Sequence, residues 1–249
     1  MSSQYAYLDI YAGDKAEYES QADSYAHTCS LLSKHAQVFG LPTSPDLLSS
    51  EQQDMLRDVN KDENKKFLFT PPTPLLAGRI TFELDTSPGL TKTRHNFISL
   101  CTGEKGFAKG APNKKLHYLG CAMHRIVKGF VAQGGDCTRG DGSGGESIYG
   151  PKFASEKAGL QVSPIRGSLA MANSGGKNPN NTSQFFIVLT TDPKSLDKLK
   201  GKYVVFGRVK SGDADSERVL QRLDNVGAAP GSKDEKPVVP VWIGGCGVC

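Results

Sequence analysis

Two stretches far apart in the chain alternate apolar and polar residues with a period of two. Tyr5–Tyr11 (YAYLDIY) does so with aromatic and β-favouring residues, and Ala77–Asp85 (AGRITFELD) sets Ile80, Phe82 and Leu84 on one face. Both patterns predict half-buried strands. Between them the period changes. Tyr18, Ala22, Tyr25, Cys29, Leu32, Ala36 and Phe39 recur at four- and three-residue steps, which predicts one stripe of a helix. Asp14-x-x-Glu17 reads as its capping box, and Gly40 with Pro42 ends it. A second helix is expected over Glu51–Lys66, started by Ser50-x-x-Gln53, with Met55, Leu56 and Val59 as its apolar face. The Pro71-Pro72-x-Pro74 cluster then predicts a stiff, extended return.

The remainder reads as short strands separated by turn signals, which argues for a fold dominated by β-structure and closed into a barrel. Two helices are expected there, at Thr91–Leu100 and at about Asp213–Asp224, the latter with Val219, Leu220 and Leu223 inward and an end near Gly227. Val238–Ile243 is the expected closing strand. Met123–Asp136 (MHRIVKGFVAQGGD) alternates up to Val127, turns at Gly129 and runs into a Gly134-Gly135 corner. On that frame stand Arg125, Phe130 and Gln133. A cation, an aromatic wall and an amide suit a ligand with a carbonyl and a small apolar ring. No nucleophile–base pair accompanies them, so the pattern points to binding and distortion rather than to covalent attack.

That string resembles the signature of the cyclophilins, peptidyl-prolyl cis-trans isomerases that bind cyclosporin. Further blocks follow in the same order: Gly140–Gly150 (GDGSGGESIYG), Gly167–Gly175 (GSLAMANSG), Ser183–Ile187 (SQFFI) and Gly201–Gly207 (GKYVVFG). The resemblance runs from about residue 77 to the end, with one short piece at the start. It implies an eight-stranded antiparallel β-barrel capped by two α-helices, as a single cyclophilin-like domain over residues 1–249. In that family the two opening strands form a hairpin. Residues 12–76 therefore read as a helical insertion within it, tolerable because loop-closure entropy grows only logarithmically with length. The implied activity is cis-trans isomerisation of X-Pro bonds in peptides and folding proteins, without cofactor. The alternative is a proline-peptide binding or scaffold module that recruits partners through the insertion.

A prolyl peptide bond is planar by resonance and isomerises in tens to hundreds of seconds unaided. A catalyst has only to bind the twisted amide better than either planar form. The resemblance gives Arg125 the hydrogen bond to the imide nitrogen, and gives Gln133 and Asn173 the carbonyls, with Phe130 as the wall. Val131, Met171, Phe186 and Leu199 match the proline slot, with Val131 standing where a Met is usual. His124, Gly142, Ala172, Ser174, Gln184 and Tyr203 match the neighbouring groove. His124 also has a reading as a structural histidine, and Phe186 one as barrel core. The loop Asp192–Lys200 lacks the Trp of tight cyclosporin binders and sets Leu196 or Lys198 near that place. The only Trp is Trp242, in the last strand. Reduced affinity for cyclosporin A is therefore expected. The long Lys105–His117 loop resembles the divergent-loop branch of the family. That branch pairs the loop with a Glu at position 146 and carries cysteines at the Cys101 and Cys246 positions, a candidate redox pair.

Composition changes this picture little. A net charge of +4 over 249 residues points to no nucleic-acid partner, and no run of eighteen apolar residues suggests a membrane span. The first residues lack a basic region followed by an apolar one, so no secretory signal is expected. The six cysteines then read mostly as reduced thiols, and the protein as cytosolic or nuclear. Residues 13–76 hold ten acidic and six basic side chains. The inserted helices either cover their stripes by packing or offer a protein partner a surface. No metal is expected: His117, Cys121 and His124 lack a fourth ligand. Gly140-x-Gly142-x-x-Gly145 does not open a helix as a dinucleotide loop must.

Overall fold

The computed structural model describes residues 4–60, 62, 64–175 and 180–249. In chain order the elements are β1 (Gln4–Ala12), α1 (Lys15–Phe39), α2 (Ser50–Asp58), β2 (Leu76–Leu84), α3 (Thr91–Thr102), β3 (Arg125–Val127) and β4 (Val131–Gly134). Then follow β5 (Phe153–Ala154), α4 (Lys157–Leu160), β6 (Ser168–Asn173), β7 (Asn180–Val188), α5 (Pro193–Leu199), β8 (Val205–Val209), α6 (Ala214–Asn225) and β9 (Val241–Val248). They fall into two compact units, Met1–Ala12 with Leu76–Cys249, and Gly13–Leu75.

The larger unit is one antiparallel sheet in the order β3-β4-β7-β6-β8-β2-β1-β9, with β5 pairing β7 off that path. The chain just before β3 joins the two ends. Gly120 N donates to Ile243 O (2.7 Å), Ile243 N to Cys121 O (2.9 Å) and Met123 N to Val241 O (2.9 Å), so the sheet curls into a barrel. Closure removes the edges that would otherwise expose unpaired backbone groups. Alternation then sorts the side chains. Ile80, Phe82 and Leu84 of β2 and Ala6, Leu8 and Ile10 of β1 enter the core, as their spacing predicted. Phe97 of α3 meets Phe82, Phe185 and Phe206 there at ring distances of 5.2–6.3 Å. Helix α6 lays Val219, Leu220 and Leu223 into the same core.

The closing strand departs from expectation. It begins at Val241 and runs to Val248, because residues 241–248 have β1 as a partner while Val238 stays largely exposed. Residues 193–199, expected as loop, form the short helix α5. Asp192 caps it by accepting from Ser195 N at 2.9 Å, and Pro193 occupies the first turn, where its missing N–H costs nothing.

In the smaller unit, α1 starts at Asp14, which accepts from Glu17 N (2.9 Å), and ends at Gly40 in the left-handed conformation, as expected. Leu32, Leu41, Leu48 and Leu56 form its core, flanked by Leu31, Ala36, Val59, Phe67 and Phe69. Thr28, absent from the predicted stripe, is buried because its hydroxyl accepts from Leu68 N at 3.1 Å. The reciprocal capping box of α2 is Ser49 with Gln52, one residue earlier than expected. The helix stops at Asp58 rather than Lys66. Asn60 donates from Nδ2 to Asp62 O (2.7 Å), a side-chain bond that competes with the helical ladder. Lys61 and Glu63, which the longer helix would have included, lie outside the described residues.

Candidate active site

Directly opposed residues on antiparallel strands point to the same face of a sheet. Arg125 on β3 opposes Gln133 on β4, Gln133 opposes Phe186 on β7, Phe186 opposes Ala170 on β6, and Ala170 opposes Val205 on β8. These side chains form one row across the outer wall of the barrel. The interleaved row, Ile126, Ala132, Ile187 and Leu169, faces inward and is fully buried. The sequence MHRIVKGFVAQ thus serves both sides at once. The β3–β4 hairpin turns at Gly129, whose φ of 67° belongs to the left-handed region that glycine adopts without penalty.

Next to Gln133 the outer wall is apolar. Val131, Ala170, Ala172, Phe186, Val188, Leu199 and Val205 cluster, with Phe130, Leu196 and Tyr203 packed against them. Tyr203 stands edge-on to Phe186 with ring centres 5.0 Å apart. Of the two candidates near the expected Trp position, Leu196 joins this cluster and Lys198 stays exposed. Met171 requires a correction. It opposes Phe185 and is fully buried among inward-facing side chains, because residue 171 is one step out of phase with Ala170 and Ala172. Ala170 belongs to the outer apolar cluster, and Met171 belongs to the inner core.

A chain of donors runs along the polar side. Arg125 Nε donates to Glu235 Oε2 at 2.6 Å, and its Nη1 reaches Gln133 Oε1 at 3.4 Å. Gln133 Nε2 donates to Gln184 Oε1 (3.0 Å), and Gln184 Nε2 to the carbonyls of Gly142 and Gly144 (2.8 Å each). Among the described residues, two of its five guanidinium N–H donors are engaged. Gln133, Gly142, Ala172, Asn173, Ser174 and Gln184 line one groove of about 310 Å³. Lys152, Asn180 and Thr182 line it too, and nothing in the sequence marked them. Asn173 is anchored at both ends of its side-chain amide. Its Oδ1 accepts from Gly175 N and its Nδ2 donates to Lys202 O, both at 2.9 Å, so the side chain braces the groove's rim.

The glycine loop is held by a carboxylate the sequence reading passed over. Asp136 accepts from the backbone of Thr138, Arg139, Gly142 and Gly144 at 3.0–3.1 Å. Burial alone would raise its pKa, but these bonds outweigh that and hold it below the usual carboxylate range. Gly142, at φ 91°, packs against His124, whose Nε2 a Cβ there would meet at 2.6 Å. Desolvation lowers the pKa of His124. Both its ring nitrogens are buried, with no hydrogen-bond partner within bonding distance among the described residues.

Glu146 is almost fully buried and accepts from Lys109 N (2.7 Å) and Gly110 N (2.8 Å), which fixes the long loop at residues 105–117. Cys101 and Cys246 are free thiols. His117 Nε2 lies 3.5 Å from Cys246 Sγ and 3.2 Å from Cys101 O. Burial pushes the thiol of Cys101 well up and that of Cys246 to about 11, so both favour the protonated form. Glu235 escaped the sequence reading altogether. Its φ of 47° is the only positive φ outside glycine among the described residues, a conformation that costs roughly 1–2 kcal/mol.

The sheet is an antiparallel barrel that carries a cation–amide–aromatic row and an apolar cluster on its outer wall. The chain belongs to the cyclophilin-type peptidyl-prolyl cis-trans isomerase family: the profile of the family described as cyclophilin type peptidyl-prolyl cis-trans isomerase/CLD matches residues 72–248. It is 45% identical over 171 residues to the peptidyl-prolyl cis-trans isomerase cyp11 of Rhizopus delemar. That match covers 68% of this chain and 46% of the relative, so the chain spans under half the length of that protein. Among solved structures it is similar to a cyclophilin type peptidyl-prolyl cis-trans isomerase of Cryptosporidium parvum. The two share 35% identity with a TM-score of 0.54, over 70% of this chain and 92% of the other.

Proposed function

We propose that the chain accelerates cis-trans isomerisation of X-Pro bonds in peptides and folding proteins. The observation that carries this reading is the outer row, in which Arg125 and Gln133 stand directly beside Phe186 and its apolar cluster. A proline ring in the slot brings its imide nitrogen toward the guanidinium. As the amide twists, resonance is lost and that nitrogen regains a lone pair. A donor already in place stabilises this charge without reorganising at the moment of reaction. Gln133 is oriented by Gln184 so that its Oε1 faces Arg125, which keeps the donors in register. No group needs to change protonation.

The substrates follow from the site: proline-containing peptides and unfolded proteins, held by a slot for the ring and a polar groove for the preceding residues. Cyclosporin A binds the same surface with reduced affinity, since Leu196 offers neither an indole donor nor its ring. The free cysteines support a reducing, cytosolic or nuclear location; cell fractionation tests it. A coupled isomerisation assay tests the activity. Wild type should accelerate turnover of an X-Pro tetrapeptide, and Arg125→Ala should lose on the order of 10²-fold, the usual effect of removing one preorganised donor. Peptide binding without acceleration by wild type would establish the binding-module reading instead.

A further inference from the structure

We propose that Glu235 is a positioning residue for Arg125, fixing the plane of its guanidinium for catalysis. The inference rests on the isomerase reading above and extends it to a residue 110 positions further along the chain.

Three observations meet at this carboxylate. It accepts from Arg125 Nε at 2.6 Å, the shortest bond that Arg125 makes. Its own backbone is pinned to the strand that carries Arg125, since Ile126 N donates to Glu235 O at 3.0 Å. The same connection is tied to that strand again by Ala228 N to Ile126 O (2.8 Å) and Lys128 N to Ala228 O (3.0 Å). Finally, Glu235 adopts a left-handed backbone that every other described residue with positive φ reaches as glycine. Glycine would be the unstrained choice here. A glutamate held in that conformation, with its side chain on the site's cation, indicates that the carboxylate matters more than the backbone fit.

The consequence is geometric. An arginine on an outer wall has four side-chain torsions, and Gln133 alone holds one Nη at the long distance of 3.4 Å. A second acceptor on Nε fixes the fork's plane beside Gln133 before a ligand arrives. The pair is half-buried, with side-chain exposures of 31% and 29%, and is screened by water less than a surface pair. The positioning effect belongs to the twisted amide, whose nitrogen lone pair points in one direction, more than to the planar substrate. It should therefore appear in kcat rather than in KM.

The test compares wild type with Glu235→Gly, Glu235→Gln and Arg125→Ala in the isomerisation assay, with melting curves and NMR of the Arg125 Nε–H. Glu235→Gly relieves the backbone and should melt no lower than wild type, yet lose roughly tenfold in kcat with KM almost unchanged. Its Arg125 Nε–H should exchange faster with water. Glu235→Gln keeps an oxygen for Nε and should recover most of the loss. Wild-type turnover with unchanged kcat in Glu235→Gly overturns this proposal alone, as does an equal loss in the Gly and Gln variants. Wild type without turnover overturns the isomerase reading itself, and this proposal with it.

Discussion

The two faces of the strands β3, β4, β7 and β6 share one backbone and do opposite things. Inward, Ile126, Ala132, Ile187, Leu169, Phe185 and Met171 are wholly removed from water and carry the barrel's stability. Outward, Gln133 and Gln184 line a groove, and Arg125 is tied to them through Gln133. A shift of one residue in register exchanges these roles completely, because side chains alternate with a period of two. The register that buries the inner row therefore also fixes which side chains the site presents. Gln133 and Gln184 each sit between two buried residues of their strand, and Arg125 stands beside buried Ile126.

Breaking the inner face should have the largest effect. Met171→Ala leaves a cavity in the barrel and should cost about 2–5 kcal/mol in chemical denaturation, while KM of the folded fraction stays at the wild-type value. A raised KM at full stability would return Met171 to the slot. Breaking the outer face should show the reverse. Arg125→Ala should lose on the order of 10²-fold in kcat/KM, about 2.7 kcal/mol in transition-state terms, while its melting temperature moves by no more than about 3 °C. If both variants lose stability equally, the division between the faces fails.

Two smaller changes sharpen the contrast. Leu196→Trp places an indole beside Val131, Phe186 and Leu199 and should tighten cyclosporin A by about 1–3 kcal/mol in a competition assay. Nanomolar inhibition of the wild type would remove the basis for that expectation. The smallest effect concerns His124, which precedes β3 and packs against Gly142. Its folded pKa lies below the unfolded value, so the unfolded chain binds the proton first as pH falls. The stability it contributes is complete above about pH 6.5, the ordinary histidine value, and is lost as pH falls through the lowered folded pKa. His124→Gln should flatten the pH dependence of the melting temperature in that window. An unchanged profile would show that other groups set it.

Legibility divides along the same lines. The caps of α1 at Asp14 and Gly40 were readable because they act within a few residues. The second inserted helix overran because Met55, Leu56 and Val59 continue a pattern that Asn60 interrupts by a side-chain bond to Asp62 O. The α5 helix was missed although Asp192-Pro193 is a start signal, because seven residues give little periodicity. At the site, Arg125, Phe130, Gln133, Gln184 and Phe186 were legible through their resemblance to a known signature. Lys152, Ala170, Asp136 and Glu235 were not, since no spacing along the chain marks a neighbour across the barrel.

By itself the sequence determined the alternation that makes strands, the glycines that turn them, and the cation, amide and aromatic residue types of the candidate site. These depend on backbone sterics and on neighbours a few positions away. Only the tertiary structure decided which strand faces which and in what register. That choice put Met171 inside and Ala170 outside, and it brought Glu235 to Arg125. Such contacts exist only once the whole barrel has closed and the entropy of bringing distant segments together has been offset by its core.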